Sequence, residues 1–228
     1  YIFARPSLLG LQLVFFAGNL FAGMVFTLMA PMILSRTDNN SLLYGSVQTA
    51  GAIAGLVGGV LMSVWGGFKR RVHGVLFGWI ISGIGMAIIG LAGGLPIWIT
   101  GLAITSIVIP LVNGSNQAIW QSKVAPDLQG RVFASRRLIA WITNPISPII
   151  AGTLADFVLE PAARAGTGLP AAFSWLVGTG PGSGMGLLIV FCGLVGVLVG
   201  VAGYFVPAIY NAETILPDHD ALPKAEPA

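Results

Sequence analysis

The chain has 228 residues, of which 55% are hydrophobic and only 8% are charged, with a formal net charge of +3. A soluble domain carries roughly a quarter charged residues, so this composition excludes a water-facing globule and makes lipid the solvent for most of the chain. The basic residues come in short clusters between apolar runs, a pattern that membrane topology requires and that argues against nucleic acid as a partner.

Charges punctuate the apolar runs. After a short lead-in, residues 1–7, there is no charge between Arg5 and Arg36, which predicts a first helix at Leu8–Leu34. The interval from Asp38 to Lys69 predicts a second at Leu43–Val64. Each interval is long enough for a membrane helix of about 20 residues. From Val72 to Ser122 there is again no charge, only His73, and the length suits two spans. The turn signal Gly93-Gly94-Leu95-Pro96 divides them into Gly74–Ala92 and Ile97–Gln121. A fifth span is expected at Leu138–Phe157 and a sixth at Met185–Tyr210, followed by a polar, proline-containing and disordered tail, residues 211–228. Continuous apolar runs with inserted glycines exclude the ten-residue alternation of a β-barrel. The expected fold is therefore all-α, a polytopic bundle of six transmembrane helices. The chain opens on Tyr1 without a signal peptide and reads as the later part of a longer chain.

Basic residues fall on alternate sides of these spans. One side receives Arg5, Lys69, Arg70, Arg71, Lys123, Arg131, Arg136, Arg137 and Lys224; the other receives Arg36 and Arg164. That asymmetry predicts cytoplasmic termini and cytoplasmic basic loops in a cell membrane. Trp65, Trp98, Trp120, Trp141 and Trp175 lie near expected helix ends, where an indole prefers the headgroup region, and Trp79 alone sits well inside a span. Glycines at three- and four-residue steps, Gly51, Gly55 and Gly59 in the second span and Gly186, Gly193, Gly196, Gly200 and Gly203 in the sixth, predict close helix packing.

Polar residues are unevenly shared. The first, second, fourth and fifth spans carry amides and hydroxyls, whereas the third has little beyond Ser82 and the sixth almost none. Four helices are expected to face a cavity and two to face lipid, because a buried amide needs a partner helix or water at membrane depth. Asn19, Gln48, Asn113, Gln117 and Asn144, with Asn116 beside them, are expected to converge on one central cavity. It would be polar but uncharged and flanked by Phe15, Phe16 and Phe26, suited to a small, largely apolar solute with a few hydrogen-bonding groups. Asp38, Asp127, Asp156 and Glu160 fall in loops or near helix ends, so no carboxylate is expected at the midplane.

The stretch Gly59-Val-Leu61-Met-Ser63-Val64-Trp65-Gly66-Gly67-Phe-Lys69-Arg70-Arg71 resembles the signature loop of the major facilitator superfamily, with Ser63 and Val64 where the family usually has Asp and Arg. Pro126-Asp127-Leu-Gln-Gly130-Arg131-Val-Phe-Ala-Ser-Arg136-Arg137, followed by Gly152-Thr-Leu-Ala-Asp156, is similar to the corresponding loop and fifth helix of the bacterial drug and siderophore exporter branch. The resemblance covers Leu8 to about Tyr210. It implies the C-terminal six-helix half of a secondary exporter, with an N-terminal six-helix half upstream in the same chain. It also implies a cytoplasmic gate built from Gly59, Gly66, Gly67, Lys69, Arg70, Arg71, Asp127, Gly130, Arg131 and Arg137. Catalysis is not expected: the only histidines are His73 and His219, no Cys/His metal spacing occurs, and Gly178–Gly184 lacks the lysine of a phosphate loop. No cofactor is expected. The alternative function is a non-transporting scaffold or receptor that keeps the transporter fold.

Overall fold

A computed structural model of the protein describes residues 1–219; Lys224 and the remainder of the expected tail lie outside the described residues. Of the described residues 84% are helical, and among them six helical stretches are long and apolar enough to cross a membrane. The first four are α1 (Pro6–Arg36), α2 (Ser41–Trp65), α3 (Arg71–Gly90) and α4 (Leu95–Lys123). Local chemistry sets their ends. Asn40 accepts hydrogen bonds from the Leu42 and Leu43 amides to start α2, and Gly66, at φ 75°, ends it in the left-handed region where a side chain would strain.

The fifth span departs from expectation. It runs from Pro126 to Arg164 as α5 (Pro126–Trp141), α6 (Thr143–Leu154), a π-helical turn at Ala155–Leu159, and α7 (Glu160–Arg164). Residues 126–137, expected as a loop, are helical. Pro126 occupies the first helical turn, where its missing N–H costs nothing, and Asp127 faces the positive end of the helix. The density of charge made this segment read as a loop. Two short helices, α8 (Gly168–Ala172) and α9 (Ser174–Val177), precede the sixth span, α10 (Ser183–Phe205). That span stops earlier than expected because Pro207 cannot continue it. The chain then forms α11 (Pro207–Tyr210) and α12 (Ala212–Ile215), so a short helix stands where a disordered tail is expected.

Contacts order the helices as an open arc: α2 on α4, α4 on α3, α3 on α10, α10 on α1, and α1 on α6. The centre of the arc is α3, its most deeply buried span. Glycines make this possible on two faces. A methyl group at Gly83 would stand 2.7 Å from the Gly193 carbonyl of α10, and one at Gly85 would stand 2.7 Å from the Gly101 carbonyl of α4. Backbones pack this closely only where side chains are absent. The outer face of α2 is unpartnered, with Leu56 72% and Val64 85% exposed. Of the tryptophans, Trp65, Trp141 and Trp175 are exposed, as interfacial residues should be; Trp98 and Trp120 are buried among helices instead.

Candidate functional site

Three cavities follow one another along the space between α1 and α4. The first, about 230 Å³, is lined by Gln12, Asn19, Asn113, Asn116, Gln117 and Arg136 among others. The second, about 130 Å³, shares Asn19 and Asn113 with the first and adds Trp79, Ser82 and Thr105. The third, about 390 Å³, shares Phe26 and Ile109 with the second and holds Gln48, Ser106 and Pro110. Pro110 has no N–H to offer the Ser106 carbonyl one turn back, so a free backbone acceptor stands beside this third space.

The structure therefore brings Asn19, Asn113, Asn116 and Gln117 together. Gln48 lies in the third cavity, away from Asn116 and Gln117, because α2 packs along α4 and scarcely touches α1. Asn144 is exposed and lines none of the three, on a face of α6 away from the buried Thr143, Ser147 and Ala151. On that helix Ser147 faces inward instead, donating to the Leu20 carbonyl of α1 at 2.9 Å. Phe15 and Phe26 flank the cavities as expected; Phe16 lines none of them.

Two expectations need correction. The third span is not merely lipid-facing: Trp79 fills the space left by Gly18 of α1, meets Phe15 edge-to-face at 5.7 Å, and keeps an unpartnered indole N–H at the middle cavity. Nor is the cavity uncharged. Arg136 and Arg137 both line the first compartment, and neither could be placed there while residues 126–137 were read as a loop. Arg136 donates to the Gln117 side-chain oxygen at 3.4 Å, and its guanidinium lies 4.9 Å over the Trp120 ring and 5.6 Å over that of Phe133. Gln12 donates to the Arg136 carbonyl at 3.3 Å, and Trp120 donates to the Asn116 side-chain oxygen at 3.0 Å.

The expected gate segment is tied to the C-terminal end. Gly66 and Gly67 form the turn, and the Arg71 guanidinium donates to the Gly66 carbonyl. Arg70 donates to the Tyr210 carbonyl at 2.9 Å and lies over the Tyr210 ring. Glu213 accepts the Arg71 and Val72 amides, each at 3.0 Å, and so caps α3. Buried Lys123 donates to the Glu213 and Leu216 carbonyls and to Asp218 at 2.7 Å. Ser63 bonds only within its own helix, to the Gly59 carbonyl at 2.9 Å. Lys69, Asp127, Gly130, Arg131 and Arg137 are exposed. At the opposite end Asp156 is exposed in the π-turn, whereas Glu160 is buried and accepts the Gly182 and Met185 amides at the start of α10. Among the described residues, no cluster of His, Cys, Asp and Glu could hold a metal.

This chain is 28% identical over 152 residues to macrolide efflux protein A of Streptococcus pyogenes, a match that covers 64% of the chain and 38% of that protein. It is likewise 28% identical over 142 residues to macrolide efflux protein A of Enterococcus faecalis, covering 60% of the chain and 44% of the relative. By sequence the chain is similar to membrane efflux transporters. Its six apolar helices fit one half of a major facilitator transporter, as the loops implied. The matched stretch of the chain thus spans about two fifths of the length of the curated relatives it matches. No family model and no solved structure matches.

Proposed function

We propose that this chain is the C-terminal six-helix half of a secondary exporter in the cell membrane, that both its termini are cytoplasmic, and that it moves a small amphipathic organic solute outward. The observation that carries the reading is the file of cavities between α1 and α4, which share Asn19 and Asn113 at one junction and Phe26 and Ile109 at the next. Amides at membrane depth that merely joined helices would be satisfied by a neighbour. Asn19 and Asn113 instead line open space, and they stand on the two helices that face each other across it. Similarity to efflux proteins supports the outward direction. The exposed faces of α2 and α6 support a second, N-terminal half covering the open side of the arc. In this reading Asn19, Asn113, Asn116 and Gln117 line the pathway, Gln48 its farther compartment, and the residues around Gly66 and Arg131 a cytoplasmic gate.

The test is efflux of a neutral amphipathic probe, 1-naphthylacetamide, from energised cells that express this chain behind its N-terminal half. Asn113→Ala and Asn19→Ala should each cut efflux about tenfold or more at unchanged surface level. Unchanged efflux in both variants would remove the pathway.

A further inference from the structure

The first cavity carries positive charge with no carboxylate among the described residues lining it. Arg136 offers five N–H donors, and the hydrogen bond it makes through them, to Gln117, is long at 3.4 Å. The ion pair among the described residues is Lys123–Asp218, and neither of its members lines this space. The surrounding amides are turned so as to add donors. Trp120 can only donate, so its bond to Asn116 consumes the Asn116 oxygen and leaves the NH2 group for the cavity. Arginine can only donate, so its bond to Gln117 consumes that oxygen in the same way. These two orientations follow from the chemistry of the partners. The guanidinium plane is held by the Trp120 and Phe133 rings, and Gln12 fixes the Arg136 backbone through its carbonyl. Arg137 adds a second cation at the rim. Phe15, Phe133 and Ala140 supply an apolar wall.

We propose, on the reading of this space as part of a transport pathway, that the first cavity binds the carboxylate, or a comparable planar oxyanion, of an otherwise apolar solute. A planar fork with donors on both flanks matches a carboxylate bidentately, and a low-dielectric wall strengthens the attraction. The exported solute would then be an amphipathic organic acid held head-first at Arg136, with its apolar body toward Phe15 and Trp79.

The test uses the 228-residue chain in nanodiscs and two radiolabelled probes of nearly equal shape, 1-naphthylacetate and 1-naphthylacetamide, at fixed ionic strength. The acid should bind about tenfold tighter than the amide, and added salt should weaken the acid alone. Arg136→Gln should erase the preference by weakening the acid far more than the amide, and a thermal midpoint close to that of the unaltered chain should report that the variant is folded; Arg136→Lys should keep part of the preference. Equal binding of the two probes overturns the charge assignment and leaves the cavity reading standing. Loss of both probes from the unaltered chain overturns both. The competing source of the anion is a carboxylate on the facing half. It requires that the preference for the acid vanish when the two halves are joined, and that result would overturn the proposal.

Discussion

Glu160 and Arg36 hold one residue, Gly182, by its amide and by its carbonyl. The Glu160 carboxylate accepts the Gly182 amide at 3.2 Å, while Arg36 donates to the Gly182 carbonyl at 3.1 Å and to the Leu91 and Val177 carbonyls. One buried carboxylate thus neutralises the positive start of α10 and faces the cation that gathers the ends of α1, α3 and α9. Glu160→Ala should lower stability by about 1–3 kcal/mol, because it leaves the buried Gly182 amide and the half-buried Met185 amide without their acceptor; an unchanged thermal midpoint in detergent would refute this. At the other end of the bundle, the hydrogen bond from Lys123 is the main reason the Asp218 carboxyl is held below its usual 3.8. A carboxylate with a lowered folded pKa contributes above the unfolded value and loses that contribution as pH falls through the folded one. Hydrogen exchange in α12, corrected for intrinsic rate, should therefore be flat from about pH 8 to about pH 5 and rise only below about pH 4. Lys123→Met should show the faster exchange at every pH. Neither contact was legible in the sequence. Glu160 looked like a helix-end charge and Asp218 like part of a loose tail, because both act through partners far along the chain.

At the scale of the element, charge spacing alone located the spans: the expected ends of the first four helices fall within three residues of those observed. The same rule failed at residues 126–137, since a helix that begins outside the apolar layer can be as charged as a loop. That failure hid the place of Arg136 and Arg137 at the first cavity. The glycine stripe of the sixth span was legible; its partner was not, because α3 spreads its glycines over two faces, one for α10 and one for α4. A side chain at Gly193 would collide with the α3 backbone at Ala87 and Gly83. Gly193→Leu should consequently cost about 1–3 kcal/mol or more through overpacking, while Gly152→Leu, where a side chain meets open space, should be nearly neutral. Comparing thermal midpoints of the two variants checks this directly, and equal losses would show that the seam is not the determinant.

The whole molecule is an arc with one open side. Periodicity showed which residues share a helix face, but it could not show which helices face each other; Gln48 and Asn144 were therefore grouped with Asn19 and Asn113, although α2 and α6 stand at the two ends of the arc. Those ends matter for activity. The apolar outer face of α2, with Ile53, Leu56, Val60 and Val64 exposed, would meet lipid if nothing else covered it, and so would Ile149 and Phe157 beyond α1. Alternating access requires two bodies that rock about a midplane site, and the cavities described here lie within one body. Proteoliposomes containing residues 1–228 alone should therefore show no carrier-dependent naphthylacetate flux above empty vesicles under an imposed proton gradient, even where the same chain in nanodiscs binds naphthylacetate at its first cavity. Restoring an N-terminal half should restore flux, and the Asn113→Ala variant of that assembly should lose it again. Robust flux from the isolated chain would mean that six helices, or two copies of them, complete the pathway unaided, and the reading as one half of an exporter would fall.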